Sequence, residues 1–243
     1  MKMRVKLENP GLMTKAVEII SELVTEVRIK VNEFGMSITA MDPANVSMVS
    51  LKIPKTAFSE FESENQTLGI NLDNLKQILK RSSSGSSIIF ERQENLLKIQ
   101  IQDRIKRNFT LNLIEVESEE RELPNLDFTS MVELNSSDFI SSIEDCSIVA
   151  DACSFVISNG KFIIEAKSLN SAMSEFSTEE AKIQAENCRA KYSLEYLGKF
   201  MKAAKICEKT TLKFAEDHPL RIDFKNPEMD LSFILAPRVE NED

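Results

Sequence analysis

Apolar and polar residues alternate along much of this sequence, most clearly in the runs 27–32, 97–101, 109–113, 220–225 and 231–235. Successive side chains of a β-strand point to opposite faces, so a period of two places one set in a core and the other in solvent. The pattern therefore predicts a protein built mainly from short antiparallel strands.

Four segments carry helical spacing instead, at 11–23, 72–80, 136–148 and 193–206. In the first, the predicted buried face holds Leu12, Ala16, Ile19, Ile20 and Leu23. In the second, Leu72, Leu75 and Leu79 share one face because they recur at intervals of three and four. Asn71 precedes this segment, and its side chain can cap the helix by accepting a hydrogen bond from a first-turn amide.

The order helix, strands, helix, strands occurs twice along the chain. Residues 71–80 align with residues 193–202, and the strand-turn-strand around Gly35 aligns with the one around Gly160. Such self-similarity indicates an internal duplication. Chance similarity between two β-rich halves is the alternative.

A charge-rich segment that contains Pro124 separates the two halves. These features are typical of an exposed linker. We therefore predict an N-terminal domain at 1–114, a connector at 115–128 and a C-terminal domain at 129–243. The leucines of the connector, Leu123 and Leu126, have no evident core to join.

The composition argues against several classes of protein. Hydrophobic residues make up 42% and charged residues 28% of the chain, which is a globular balance. No apolar run approaches the roughly 18 residues of a membrane span, and Met1 leads into no signal-peptide core. We expect an intracellular protein that is not secreted. Its scattered cysteines are expected to be reduced and mostly buried: Cys146, Cys153, Cys188 and Cys207.

The chain has no phosphate-binding glycine loop, no dinucleotide fingerprint and no hydrolase motif. His218 has no cysteine or second histidine near it in sequence, so we interpret it as a strand-edge residue rather than a metal ligand. The acidic pairs Glu119-Glu120 and Glu179-Glu180 lie in polar runs and indicate solvated surface. We predict no catalytic residue, no metal and no cofactor, although a two-carboxylate metal site stays open as an alternative.

Three stretches carry a family likeness: GMSITAMDPANVSMV at 35–49, GINL followed by KQILKR within 69–81, and LAPRVE at 235–240. Together, and in this order, they resemble the sliding-clamp family typified by proliferating cell nuclear antigen of eukaryotes and archaea. The resemblance implies an α+β fold of two duplicated clamp domains, each with two helices packed on antiparallel sheets. It also implies a head-to-tail trimeric ring that encircles duplex DNA as a polymerase processivity factor.

In the family, the helices line the central hole. The DNA-binding residues that follow are Lys15, Lys76, Lys80, Arg81, Lys199, Lys202 and Lys205. The net charge of −9 argues against tight DNA binding, but a ring holds DNA by topology and needs only weak attraction to phosphates. Residues 132–160 contain no Lys or Arg, so the third helix is acidic, and a mixed trimer stays open beside the favoured homotrimer.

The resemblance also implies two protein interfaces. Edge strands at 106–113 and 171–177 join neighbouring subunits through Phe109, Leu111, Met173 and Phe176, with a core position as the alternative for Phe109. A groove for client peptides, whose motif is a glutamine followed by an aliphatic and two aromatic residues, is formed by Met41, Val46, Leu123, Leu126, Pro219, Ile234, Ala236 and Pro237. Core positions are the alternative for Val46 and Ile234.

The implied partners are duplex DNA without sequence preference, DNA polymerase, clamp loader, flap endonuclease, ligase and further copies of the chain, with no membrane. The protein would be cytoplasmic if archaeal and nuclear if eukaryotic. The remaining alternatives are a subunit of a heterotrimeric or checkpoint-type clamp, a β-rich scaffold that does not contact DNA, and a metal-dependent enzyme.

Overall fold

The computed structural model of the chain describes residues 2–117 and 121–239. The acidic pair Glu119-Glu120 of the predicted connector lies outside the described residues. The chain divides into two compact units. Unit 1 comprises Met1–Pro43, Val49–Leu123 and Asn226–Leu231, and unit 2 comprises Ala44–Met48, Pro124–Lys225 and Ser232–Asp243.

Unit 1 contains two α-helices, α1 (Gly11–Ile20) and α2 (Leu72–Leu79), and a short 3₁₀ helix, Lys55–Ala57, among its described residues. Its strands are β1 (Met3–Leu7), β2 (Glu26–Asn32), β3 (Gly35–Met41), most of β4 (Ser47–Pro54), β5 (Glu60–Ser63), β6 (Gln66–Asn71), β7 (Ser87–Gln93), β8 (Leu96–Gln102) and β9 (Lys106–Asn112). The strands pair in the orders β5-β1-β7-β8-β9 and β4-β3-β2-β6.

Unit 2 contains α3 (Ser136–Val149) and α4 (Leu194–Ala204) among its described residues. Its strands are β10 (Ser130–Asn135), β11 (Ala152–Ser158), β12 (Lys161–Lys167), β13 (Ser171–Phe176), β14 (Ala181–Ala185), β15 (Cys188–Ser193), β16 (Lys209–Phe214), β17 (Leu220–Asn226) and the end of β18 (Met229–Leu235). They pair in the orders β13-β12-β11-β15 and β14-β10-β16-β17-β18.

The predicted helices are all present, and their ends are the main difference. Helix α2 begins at Leu72, and the side chain of Asn71 accepts a hydrogen bond from the amide of Asn74 at 3.1 Å, which confirms the predicted cap. Helix α1 ends at Ile20 rather than at residue 23. The amides of Glu22 and Leu23 bond three residues back instead of four, so the last turn tightens and the helix stops.

The buried face of α1 also differs from the prediction. Leu12 is half-exposed, while Met13 and Val17 are buried beside Ala16. The apolar stripe is therefore rotated by one residue at its start. A short helix tolerates this because four or five apolar residues fit more than one choice of face.

Aromatic side chains form the centre of unit 2. The ring of Phe155 lies 5.2 to 6.0 Å from the rings of Phe139, Phe162, Tyr192 and Phe214, edge-on to each of them. Such edge-to-face pairs add about 0.5–1.5 kcal/mol each beyond the burial of their surface. Helix α3 and strands of both sheets are held together by this cluster.

The cysteines agree with the prediction, since all four are free thiols and Cys146, Cys153 and Cys188 are buried. Within the described residues there is no group of three or more His, Cys, Asp or Glu side chains placed to hold a metal. No helix in that part of the chain is long and apolar enough to cross a membrane.

Candidate nucleic-acid and partner interfaces

Two lysines of α2 and its end form ion pairs with neighbouring acidic side chains. Lys76 lies 2.6 Å from Asp73 and donates to the hydroxyl of Ser21 at 3.1 Å. Lys80 lies 3.2 Å from Glu18 of α1. These partners fix the ammonium groups on the outer surface of the helix pair and partly neutralise their charge, although exposed pairs of this kind are individually weak.

The other predicted cations of unit 1 differ in their surroundings. Lys15 is exposed on α1, and no ion pair to it occurs within the described residues. Arg81 is exposed just after α2, and its carbonyl accepts a hydrogen bond from the guanidinium of Arg107 at 2.8 Å. Arg81 therefore lies next to strand β9, at the edge of the five-stranded sheet.

In unit 2 the lysines form a stripe on α4. Lys199 pairs with Glu195 at 3.1 Å and lies over the ring of Tyr196 at 5.0 Å. Lys202 and Lys205 are exposed and follow at intervals of three, so all three lysines share the solvent side of the helix. The stripe is a row of positive charge on the surface of unit 2.

Helix α3 has the opposite charge. Its exposed residues include Asp138, Glu144 and Asp145, and Ile148 is exposed at its last turn. Ser168, which precedes β13, donates from its hydroxyl to the carbonyl of Val149 at 2.6 Å. The carboxyl end of α3 therefore lies beside the hairpin that leads into β13.

The four predicted joint residues lie on edge strands. Phe109 and Leu111 are half-exposed on β9, with Phe109 paired to Ile99 of β8. Met173 is 66% exposed on β13, the edge of the four-stranded sheet of unit 2. Phe176 is 6% exposed and stacks on Phe162 at 5.8 Å, so its side chain belongs to the core of unit 2.

Six of the predicted client-groove residues belong to unit 2. The carbonyl of Val46 accepts a hydrogen bond from the amide of Ala236 at 2.9 Å, which brings these two together. Both side chains are half-buried, as are those of Pro237 and Pro219. Ile234 is buried, so its side chain is core rather than surface.

The sixth of these is Leu126, and the other two residues of the prediction are Met41 and Leu123. Met41 and Leu123 belong to unit 1, and the guanidinium of Arg121 lies 2.9 Å from the sulfur of Met41. Leu123 and Leu126 are both half-buried. Val116, earlier in the connector, is buried, and its carbonyl accepts a hydrogen bond from Arg28, so this part of the connector packs on unit 1.

The chain after β18 is anchored by Arg238. Its amide donates to the carbonyl of Lys191 at 2.7 Å, and its guanidinium lies 2.9 Å from the carboxylate of Asp151. This hydrogen bond lowers the pKa of Asp151 below its ordinary value. The backbone of 236–238 is thus held in place beside Val46 and strand β15 of unit 2.

Two family models divide the sequence between them. The model described as the N-terminal domain of proliferating cell nuclear antigen matches residues 2–121, and the one described as its C-terminal domain matches residues 122–239. This chain belongs to the proliferating cell nuclear antigen family. The two matches also confirm the predicted α+β fold of two clamp domains.

Archaeal members of the proliferating cell nuclear antigen family are among its relatives. It is 36% identical to the DNA polymerase sliding clamp of Thermococcus gammatolerans over 228 residues, which cover 90% of this chain and 92% of the relative. It is 31% identical to the DNA polymerase sliding clamp of Pyrococcus furiosus over 249 aligned positions, which cover 99% and 100% of the two chains.

A solved structure of this family agrees. The crystal structure of proliferating cellular nuclear antigen from Entamoeba histolytica superposes with a TM-score of 0.90 at 25% identity, covering 98% of this chain and 99% of that one. The likeness therefore extends over both units and all four helices of the described residues.

Sequence reasoning missed some exposed or half-buried apolar residues in this member of the proliferating cell nuclear antigen family. The ring of Phe128, in the connector, meets the ring of His218 edge-on at 5.5 Å, and the carbonyl of His218 accepts from the hydroxyl of Tyr192 at 2.7 Å. An aromatic residue in a charged linker was the available signal. The exposed Leu169 and Ile148 gave none, because single apolar surface residues are common.

Proposed function

We propose that this chain is a DNA polymerase sliding clamp of the archaeal type, a non-catalytic processivity factor. Three copies close into a ring around duplex DNA and tether replication and repair enzymes to it. The observation that carries the proposal is the match of both halves, in order and over nearly the whole chain, to relatives named as sliding clamps.

Ring closure is supported by the two edge strands. Strands β9 and β13 each end a sheet within their unit and so leave one row of backbone groups unpaired. When β9 of one copy pairs with β13 of the next, both edges are satisfied. The contact is head to tail, and such a contact gives a closed ring when its rotation divides a full turn.

Charge supports the same joint. Pairing of β9 with β13 makes one continuous sheet, and helices on the same face of that sheet become neighbours. Arg81 lies beside β9 and Arg107 belongs to it, while Glu144 and Asp145 lie on α3 beside β13. Opposite charges across the joint favour correct pairing of copies. The acidic α3 is then a joint surface rather than a DNA surface.

Apolar side chains complete the joint. Phe109 and Leu111 on β9 meet Met173 on β13, and the exposed Ile148 of α3 lies nearby. Phe176 contributes through its backbone, since its ring is in the core. Burial of these side chains in the ring removes apolar surface from water, which drives association.

Contact with DNA is assigned to Lys15, Lys76, Lys80, Arg81, Lys199, Lys202 and Lys205. Lysines on helix surfaces attract phosphates without reading bases. Because several of them are already paired within the chain, the attraction is weak. Weak attraction suits a ring that must slide, while its net charge of −9 keeps the remaining surface from binding DNA.

Client proteins are assigned to a groove built from Met41, Val46, Leu123, Leu126, Pro219, Ala236 and Pro237, with Ile234 behind it. The half-buried side chains provide apolar contacts, and the anchored backbone at 236–238 offers main-chain hydrogen bonds. The expected partners are DNA polymerase, clamp loader, flap endonuclease and ligase. The protein works inside the cell, in the cytoplasm of an archaeon.

The test is topological. The chain is loaded by an archaeal clamp loader onto nicked circular DNA, and half of the sample is then cut once with a restriction enzyme. We expect the clamp to stay on the circle, to leave the linear DNA, and to stay on linear DNA whose ends are blocked by streptavidin. Equal retention on open linear DNA would contradict encirclement.

The mass of the purified chain tests the ring itself. Light scattering at micromolar concentration is expected to give three times the 27.5 kDa of one chain. A strict monomer that forms rings only after related chains are added would contradict the homotrimer and support a mixed ring.

A further inference from the structure

A groove on unit 1 is not used by any part of the proposed function. Its wider part, about 540 Å³, is lined by Phe34, Ile53, Pro227 and Met229 among others. Its narrower part, about 120 Å³, lies between the loop before α1 and the same Ile53 and Met229. Because the two parts share these residues, they lie next to each other on unit 1.

A backbone hydrogen bond fixes one wall of the groove. The amide of Lys55 donates to the carbonyl of Phe34 at 2.8 Å, which fixes the β2–β3 hairpin against the end of β4. Gly35 allows this approach, because a Cβ there would overlap the carbonyl oxygen of Ile53. Phe34 itself is 76% exposed and stands at the side of the groove. A preformed surface loses little entropy on binding.

The charges on the groove are not balanced. Among the described lining residues, Lys52 and Asp230 belong to the wider part, and Glu8 and Glu228 to the narrower. Glu8 is paired with Lys6 at 2.7 Å. Within the part of the chain that the structure describes, Glu228 and Asp230 have no ion-pair partner. Lys52 has no ion pair among those residues either, so the two carboxylates outnumber it by one and favour a cationic occupant.

We propose that this groove binds an extended, basic segment of a partner protein. An apolar side chain of the segment lies against the exposed Phe34 and Pro227, above the buried Ile53 and Met229. A lysine or arginine two positions along the segment lies beside Glu228 or Asp230. Alternate side chains of an extended chain point the same way, about 6.6 Å apart, so one face supplies both contacts. Apolar anchors with a charged rim are the usual composition of such a site.

The experiment uses the full chain and two labelled seven-residue peptides. One peptide has a phenylalanine followed at alternate positions by two lysines, and the other has glutamates in place of the lysines. Fluorescence polarisation is expected to show binding of the lysine peptide at least about tenfold tighter than that of the glutamate peptide, with a difference that shrinks at high salt.

Two variants locate the site. The first variant is Phe34→Ser, and the second combines Glu228→Lys with Asp230→Lys. Each is expected to lower the affinity for the lysine peptide by about fivefold or more. Val239→Ser is the control for Phe34, since Val239 is 80% exposed and lies in unit 2. The reversals Glu179→Lys with Glu186→Lys, also in unit 2, are the control for charge.

Several outcomes would overturn the proposal. They are no binding of the lysine peptide at millimolar concentration, equal binding of the two peptides, and unchanged binding by the Glu228 and Asp230 reversals. Self-association that depends on Phe34 while the peptide fails to bind would assign the groove to a second copy instead. If Phe34→Ser does not fold, the charge reversals alone decide, because Glu228 lies on an exposed turn and Asp230 is only half-buried at the start of β18.

Discussion

The first hairpin of each unit turns at a glycine with positive φ, Gly35 at 138° and Gly160 at 74°. Their surroundings differ. A Cβ at Gly35 would overlap the carbonyl oxygen of Ile53 and crowd the backbone of Lys55, whereas a Cβ at Gly160 would meet nothing within 4 Å. Both units therefore use a glycine at this turn. In unit 1 the end of β4 packs against the glycine and leaves no room for a side chain, whereas in unit 2 the space is open.

The helices of the two units differ in a similar way. On α2, Lys76 and Lys80 are held by acidic partners, and Asn71 caps the first turn. On α4, Lys205 has no ion pair within the described residues, and Ser193 occupies the cap position without a side-chain cap bond. The aligned cap positions, Asn71 and Ser193, therefore differ in the hydrogen bonds they make.

The largest expected effect concerns the two glycines. We expect Gly35→Ala to lower the free energy of unfolding by about 3 kcal/mol or more, because the added methyl overlaps backbone atoms that cannot move aside. Gly160→Ala serves as the matched control and is expected to cost about 1 kcal/mol, from its left-handed conformation alone. Chemical denaturation measures both, and equal costs would remove the contrast.

The proposed joint between copies is tested by a charge swap. We expect Arg81→Glu to raise the dissociation constant of the ring by about tenfold to 100-fold, because like charges then face α3. Combining it with Asp145→Arg is expected to restore association. Analytical ultracentrifugation measures the mass of the assembly at each concentration, and this gives the dissociation constant of the ring.

Lys98→Glu is the control for that swap, because it also replaces a positive charge with a negative one. Lys98 lies on β8 opposite Thr110, on the sheet face away from Phe109. A ring that tolerates Arg81→Glu, or that dissociates equally with Lys98→Glu, would contradict the proposed charge pairing.

Substitution of the two connector leucines tests the proposed client groove. We expect Leu123→Ala to weaken a client peptide by about 1–3 kcal/mol, roughly five- to 150-fold, with little change in melting temperature, because a few apolar anchors dominate such interfaces. Leu126→Ala shows whether the second leucine shares the pocket. Isothermal titration calorimetry measures the affinity, and Leu169→Ala, at an exposed turn, is the control. Unchanged affinity in a folded Leu123→Ala ring would exclude Leu123 from the groove.

A smaller effect is expected to distinguish Lys205, which has no ion pair within the described residues, from Lys76, which is paired with Asp73. We expect Lys205→Gln to reduce the slope of log affinity for DNA against log salt by about one, because one phosphate contact is lost. Lys76→Gln is expected to change the slope less, since Asp73 and Ser21 already hold its ammonium group. Binding titrations at several salt concentrations test this, and a larger effect of Lys76→Gln would reverse the ranking.

The smallest effect concerns the helix caps. Asn71→Ala is expected to lower the free energy of unfolding by about 1 kcal/mol, because the amide of Asn74 loses its partner. Ser193→Ala is expected to cost less than about 0.5 kcal/mol, because its side chain makes no cap hydrogen bond. Equal losses in thermal melts would show that Ser193 stabilises α4 by another route.

The sequence by itself predicted the secondary structure and the duplication. Strand alternation, helical spacing and the Asn71 cap depend on residues within a few positions of each other, so they can be read along the chain. The resemblance to the family came instead from the three stretches within 35–49, 69–81 and 235–240, and the two family models confirm it. The end of α1 was wrong, because tighter hydrogen bonds after Ile20, rather than its apolar spacing, stop the helix.

Only the tertiary structure decided which surfaces these elements present. The pairing of Lys80 with Glu18, the burial of Phe176 on Phe162, and the groove over Ile53 and Met229 all join residues far apart in sequence. Periodicity records which side of an element is buried, but not which side chain of another element lies opposite. That choice depends on packing across the whole unit, where each contact is set by the positions of all its neighbours.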